Sequence, residues 1–195
     1  METPDLLLKL KTDAVIKAIK DSFPRGKLRS SDSRRNIGEK NNRSQVFGIL
    51  PLRCFGVGMS SFSSKYPLIF EAGMELGKYL CDPLGVKYTA FTLNESCLTT
   101  KHRDKNNIGP TLIVGFGEYS GGSLMVDNDG TDTSVDIKLK PYVMEASKIT
   151  HWTSAFEGTR YSIVFFKPRW PKKVAAHYDT LSFQDLAKEV KKESA

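Results

Sequence analysis

Lys101-His102-Arg103-Asp104-Lys105-Asn106-Asn107 is the stretch on which the reading of this chain turns. A His and an Asp two residues apart on a strand face the same way, because strand side chains alternate. His151 and Arg160 follow later in the chain. Two imidazoles and one carboxylate that leave coordination positions open suit a non-haem Fe(II) centre. An Arg on a neighbouring strand offers a planar fork for the carboxylate of a small acid. The expectation is that His102, Asp104 and His151 hold iron and that Arg160 holds an oxo-acid.

Around this stretch the sequence reads as short strands and turns. Strands are expected over 86–94, 97–104, 110–116, 123–126, 135–139, 142–145, 149–153 and 159–167. Gly115, Gly117, Gly121 and Gly122 are expected around one turn, and Asn128-Asp129-Gly130 is a hairpin signal. Strands at this spacing indicate an antiparallel sandwich or jelly roll. In the last strand Arg160 and Ser162 share one face, with Ile163 and Phe165 on the other. An Arg buried among such residues is costly without an anionic partner, either a structural Glu or a bound dicarboxylate.

The N-terminal part reads differently. Residues 4–23 are expected to be helical, with Thr3 as cap, Pro4 in the first turn and Leu7, Leu10, Ala14, Ile16 and Ile19 as the apolar face. One or two short strands are expected over 46–62 and a second helix over 67–81, stopped by Asp82-Pro83. A last helix starts near Ser182 and carries Leu186, Ala187 and Val190. The layout is thus one domain: 1–85 as helical and basic-loop support, 86–167 as strand core, 168–195 as C-terminal helix.

Composition narrows the partners. The 195 residues carry a formal charge of +7, with 39% hydrophobic and 26% charged residues, as expected of a soluble globular protein. Much of the excess sits in the loop 25–45. There Arg25, Lys27, Arg29, Arg34, Arg35, Lys40 and Arg43 stand against Asp32 and Glu39 alone. A loop this basic can clamp a phosphate backbone, although a solvated charged loop is the commoner case. Cys54, Cys81 and Cys97 form no metal-type or redox-type pair, which suits a reducing compartment. The sequence shows neither a basic-then-apolar leader nor an apolar run of membrane-spanning length. An intracellular location, in cytoplasm or nucleus, is expected. His177 lies beyond the strand core and is expected at the surface.

His-x-Asp alone is unspecific. Taken in order, His102-Arg103-Asp104, Gly117-Glu118-Tyr119-Ser120-Gly121-Gly122-Ser123-Leu124, His151 and Gly158-Thr159-Arg160-Tyr161-Ser162-Ile163-Val164 resemble the Fe(II)/2-oxoglutarate-dependent oxygenases. The resemblance runs from Tyr88 to Phe166. It implies a mainly β fold with flanking helices, the double-stranded β-helix (a cupin-like jelly roll). It also implies Fe(II) on His102, Asp104 and His151, with 2-oxoglutarate and molecular oxygen as co-substrates. Arg160 and Ser162 would then hold the distal carboxylate, and Asn94 would bond the co-substrate or the substrate. Asn94 can equally be a cross-strand structural amide.

Within that superfamily the chain looks most like the TET/J-binding-protein class, which oxidises the methyl group of 5-methylpyrimidines in nucleic acid. The pointer is Asn107, three residues after Asp104, since His-x-Asp-x-x-Asn occurs in that class. An amide can read a pyrimidine edge, and it can equally stabilise the turn before Gly109. DNA is then the favoured partner, gripped by the basic loop. Tyr119, Trp152 and Phe156 are further candidates for base stacking. Strand alternation from Tyr88 puts Tyr88, Ala90, Thr92 and Asn94 on one face. Unlike the large animal members, the chain has no Cys-rich region. Two other readings stand beside this one: a protein or peptide hydroxylase of the prolyl-hydroxylase kind, and a non-enzymatic cupin-type binding domain.

Overall fold

A computed structural model describes residues 5–23, 26–28, 43–52 and 56–193. Most of the basic loop, including Arg25, Arg29, Arg34, Arg35 and Lys40, lies outside the described residues, as does Cys54.

The first helix, α1 (Leu6–Ser22), is capped by Asp5, whose carboxylate accepts from the backbone N–H of Leu7 and Leu8 at 3.0 and 3.1 Å. Its buried row is Leu8, Thr12, Val15, Ala18 and Ile19, while Leu7 and Leu10 are exposed. The expected face is therefore out of phase by about one residue. The 8–12–15–19 row satisfies helical spacing equally well and places two β-branched apolar groups, Val15 and Ile19, inward. Helix α2 (Ser61–Lys65) is a single turn, and α3 (Pro67–Cys81) matches the expected second helix. A 3₁₀ turn, Asp82–Leu84, stops α3. Asp5 also accepts from the Tyr79 hydroxyl and ties α1 to α3.

The described residues hold nine strands: β1 (Arg43–Leu52), β2 (Gly56–Met59), β3 (Ala90–Glu95), β4 (Asn107–Gly121), β5 (Leu124–Asn128), β6 (Thr131–Val135), β7 (Tyr142–Met144), β8 (His151–Thr153) and β9 (Phe156–Pro168). They form a six-stranded sheet, β2-β1-β3-β9-β4-β7, and a three-stranded sheet, β6-β5-β8. Every named pairing is antiparallel. The two sheets face each other as a double-stranded β-helix with flanking helices, the expected fold class.

Alternation assigns the two faces of the large sheet. Phe47, Phe91, Leu93, Leu112, Val114, Phe116, Ile163 and Phe165 point to the helices and form the main core. Full burial of each such side chain contributes roughly 1.5–3 kcal/mol. α3 comes very close: a Cβ on Gly73 would stand 2.2 Å from the Phe91 ring, and one on Gly77 2.7 Å from Phe165. The opposite face carries Thr92, Asn94, Thr111, Ile113, Arg160, Ser162 and Val164 toward the interior of the β-helix. Leu124 and Val126 of β5 close that interior from the three-stranded sheet, and Ile137 and Met144 pack with them.

Several strand expectations need correction. Residues 97–104 are not a strand; they contribute isolated bridge residues at Thr99 and at His102, the latter paired with His151. The Tyr88 alternation fails because β3 starts at Ala90, and Tyr88 instead packs edge-on against Phe165 on the helix side. Gly115 and Gly117 lie inside β4, so the turn is confined to the Gly121–Gly122 end. β4 also runs longer than expected, absorbing Pro110 at a register shift between Ile108 and Leu112. The expected strand 135–139 is replaced by β6 and a bridge between Gly115 and Lys138. The Asn128-Asp129-Gly130 hairpin holds: Asn128 pairs Thr131 across a two-residue turn with positive φ at both Asp129 and Gly130.

Two helices finish the described chain. α4 (Lys172–Tyr178) was not expected, and it carries the exposed His177, which pairs with Glu189. In α5 (Phe183–Glu193), Ser182 Oγ accepts from the Asp185 N–H at 3.2 Å, as a capping residue should. Among the described residues no helix is long and apolar enough to cross a membrane.

Candidate metal centre and co-substrate cavity

His102, Asp104 and His151 meet although they come from a loop and a three-residue strand. Backbone pairing does the positioning. The His102 N–H donates to His151 O at 3.0 Å, the His151 N–H donates to His102 O at 2.9 Å, and the Asp104 N–H donates to Ala146 O at 2.9 Å. His102 Nε2 stands 3.7 Å from Asp104 Oδ1, and His151 Nε2 stands 4.0 Å from Asp104 Oδ2. One ligand atom from each residue lies within 4.8 Å of the others.

Each imidazole is oriented from behind. His102 Nδ1 lies 2.7 Å from Thr100 O, and His151 Nδ1 lies 3.0 Å from Ile149 O. A carbonyl only accepts, so both Nδ1 atoms carry a proton, and both Nε2 atoms are turned toward Asp104. This is the arrangement metal-binding histidines adopt.

The cavity behind the triad is lined by residues from both sheets, including Asn94, Cys97, Thr99, Thr111, Thr153, Arg160 and Ser162. Arg160 is 2% exposed, and its Nε donates to Gly122 O at 3.0 Å. Its guanidinium carbon sits 5.6 Å from the Tyr119 ring and 5.8 Å from the Phe156 ring. Among the described residues no carboxylate pairs with it. Burial pushes the Arg160 pKa down and the neighbouring Tyr119 opposes that shift, but a guanidinium keeps its charge. Burial likewise pushes the Tyr119 phenol up, against the pull of Arg160.

Ser162 and Asn94 belong to a polar row across three strands. Ser44 Oγ donates to Asn94 Oδ1 at 2.7 Å, and Asn94 Nδ2 donates to Ser162 Oγ at 3.2 Å. The register places Ser44, Asn94, Ser162 and Gly115 in line. Asn94 thus has the cross-strand structural role and also lines the cavity.

Asn107 is 7% exposed and closes the loop after His102 and Asp104. Its N–H donates to Asp104 O at 2.9 Å, and its Nδ2 reaches Asp104 Oδ2 at 3.5 Å. It also lines a second, outer cavity of about 330 Å³ beside Asp104, with Val46, Thr92, Arg103, Lys105 and Phe166. Trp152 and Phe156 are not at this mouth: Trp152 carries Lys101 over its ring at 4.1 Å, and Phe156 backs Arg160. Sequence reasoning missed three participants: Gly122 as acceptor for Arg160, Tyr119 as its neighbour, and Thr111. Alternation with Ile113 along β4 is the signal that would have placed Thr111 inward.

No family model matches the sequence, and no curated protein matches it significantly. Solved structures share its fold. NgTET1 in complex with 5mC DNA is similar over 91% of this chain and 77% of its own, with 13% identity and a TM-score of 0.54. A 2OG-Fe(II) oxygenase-family oxidoreductase from Burkholderia pseudomallei is similar over 84% and 81%, with 10% identity and a TM-score of 0.53. A prolyl hydroxylase from Trichoplax adhaerens, solved with a hypoxia inducible factor peptide fragment, is similar over 86% and 81%, with 13% identity and a TM-score of 0.51. The chain therefore has the double-stranded β-helix fold found in 2-oxoglutarate–Fe(II) oxygenases.

Proposed function

We propose that this chain is an Fe(II)- and 2-oxoglutarate-dependent dioxygenase that oxidises the methyl group of a 5-methylpyrimidine in nucleic acid. The carrying observation is one cavity with a back-bonded His-Asp-His set near one end and, farther in, a buried Arg160 to which no described carboxylate is paired. The donor set fits the metal: two neutral imidazoles and one carboxylate leave positions for further ligands. Arg160 fits the distal carboxylate of an oxo-diacid, which would supply the anion that its burial calls for.

When bound, iron with 2-oxoglutarate and oxygen supplies oxidation of a C–H bond, with loss of carbon dioxide and formation of succinate. The chain's own residues do the rest. Thr100 O and Ile149 O fix the two imidazoles, and Asn107 and Ala146 fix the Asp104 loop. Arg160, held by Gly122 O and flanked by Tyr119, would orient the acid, and Ser162, held by Asn94, would assist. Ile113, Leu124, Met144 and Val164 give the cavity apolar walls, which would limit water beside the bound acid.

The substrate reading rests on the mouth. Arg103 and Lys105 flank it, which suits a phosphate backbone, and Asn107 brings an amide to its wall. The basic loop and the likeness to the NgTET1–DNA complex point the same way.

The test is incubation of the protein with Fe(II), 2-oxoglutarate and duplexes carrying 5-methylcytosine, thymine only, or no methylated base, with a proline-containing peptide as a parallel arm. Succinate and oxidised base are read by mass spectrometry. Oxidised base in a methylpyrimidine arm is the expected result. Succinate formation that no duplex stimulates, together with peptide oxidation, overturns the nucleic-acid reading. Absence of metal-dependent 2-oxoglutarate binding overturns the oxygenase reading itself.

A further inference from the structure

The polar side chains around the cavity are almost all accounted for. The two Nδ1 atoms bond carbonyls, Asn94 lies between Ser44 and Ser162, Thr99 and Thr153 bond each other at 3.0 Å, and Arg160 bonds Gly122 O. Thr111 is the exception. It is 0% exposed, it lines the cavity, and its Oγ1 has no hydrogen-bond partner among the described residues. A buried hydroxyl left unbonded is disfavoured, and native interiors rarely keep one.

The register says where along the cavity this hydroxyl lies. On β4, Gly117 pairs Arg160, Gly115 pairs Ser162 and Ile113 pairs Val164, so Thr111 lies farther from Arg160 than any of these. It pairs Met144 of β7, two residues before the Ala146 carbonyl that holds the Asp104 backbone. Thr111 therefore sits toward the metal end. Its strand neighbours, Ile113 on β4 and Met144 across from it on β7, are apolar and offer the hydroxyl no bond.

We infer that Thr111 is a ligand-positioning residue whose hydroxyl donates a hydrogen bond to an oxygen of the oxo-acid at the metal end of the cavity. Arg160 and Thr111 then grip opposite ends of one small molecule, and Thr111 selects for an oxygen acceptor near the metal. This rests on the oxygenase reading.

The test uses the full chain loaded with Mn(II), and calorimetric titration with 2-oxoglutarate. Thr111→Val removes the hydroxyl at nearly constant volume, and Thr111→Ser retains it. The expected result is a Kd about tenfold higher for Thr111→Val, the loss typical of a hydrogen bond to a charged group. Thr111→Ser should bind within about threefold of wild type, because its hydroxyl is kept. Mn(II) affinity, titrated separately, should be unchanged in both. Unchanged 2-oxoglutarate affinity in Thr111→Val beside normal wild-type binding overturns this inference alone. Weakened Mn(II) binding in Thr111→Val also overturns it, since the hydroxyl would then be supporting Asp104. A wild-type protein that binds no 2-oxoglutarate overturns the oxygenase reading and this inference with it.

Discussion

Gly122 and Arg160 are in contact through both backbone and side chain: Gly122 O accepts from Arg160 Nε at 3.0 Å, and a Cβ on Gly122 would stand 2.8 Å from Arg160 Cδ. Gly122 also has φ +68°, a conformation that side-chain-bearing residues adopt at a cost. Gly122→Ala should therefore lose about 1–2 kcal/mol of stability from the backbone. It should also shift the guanidinium, raising the 2-oxoglutarate Kd about tenfold. Urea denaturation and calorimetry on Mn(II)-loaded protein read the two effects. A stable variant with normal affinity would show that Arg160 does not depend on this contact.

Removal of one imidazole should empty the metal site. His102→Ala and His151→Ala should each lose stoichiometric Fe(II) under anaerobic dialysis and lose all iron-dependent turnover. Colorimetric iron determination checks the first, and succinate release the second. Retained iron in either variant removes that residue from the ligand set.

Asn94 joins β1 to β9 through its side chain. Asn94→Ala leaves the Ser44 and Ser162 hydroxyls without this partner and should cost about 1–3 kcal/mol. A double-mutant cycle with Ser44→Ala should give a coupling of at least about 0.5 kcal/mol. Additive losses would mean that the row is two separate contacts and not a unit.

Glu95 makes stability depend on pH in an unusual direction. It is 1% exposed, and burial raises its pKa above 4.5, opposed by the Leu28 N–H and then by Arg43. Between the ordinary value and the raised one, the folded chain binds more protons than the unfolded chain. The Glu95 contribution is therefore full below about pH 4.5 and is lost as pH rises through the folded value. Glu95→Gln keeps an acceptor for Leu28 and removes the slope. Its Tm should gain on wild type from about pH 4 to about pH 7. Parallel Tm curves would show that Glu95 titrates normally.

The sequence exposed the cluster better than the local structure. His102, Asp104 and His151 were readable as a group because few residue types ligate a metal, and they do come together; the β9 alternation placed Arg160 and Ser162 on one cavity-lining face. Strand alternation is not what brings His102 and Asp104 together, since 97–104 is a loop. Its side chains converge because the loop bonds to β8 and to Ala146, long-range contacts that no local pattern reports. The α1 face was misplaced for a related reason. Several spacings in a Leu-rich helix satisfy the 3.6 period, and the sheet surface beneath it chooses among them. Alternation could place Thr111 inward and the glycine pair could mark Gly122 as a turn, but neither signal named a partner, because their roles lie in what stands opposite.

The reciprocal bonds between His102 and His151 join the two ligands through their main chains. These bonds need no metal in order to form, so the two side chains are brought together by folding itself. Under the proposed function the metal would then be a removable part and not a staple. A chain stripped of it would keep its fold and could be recharged, and supply of the metal, not synthesis of new chain, would govern how much of the protein is competent.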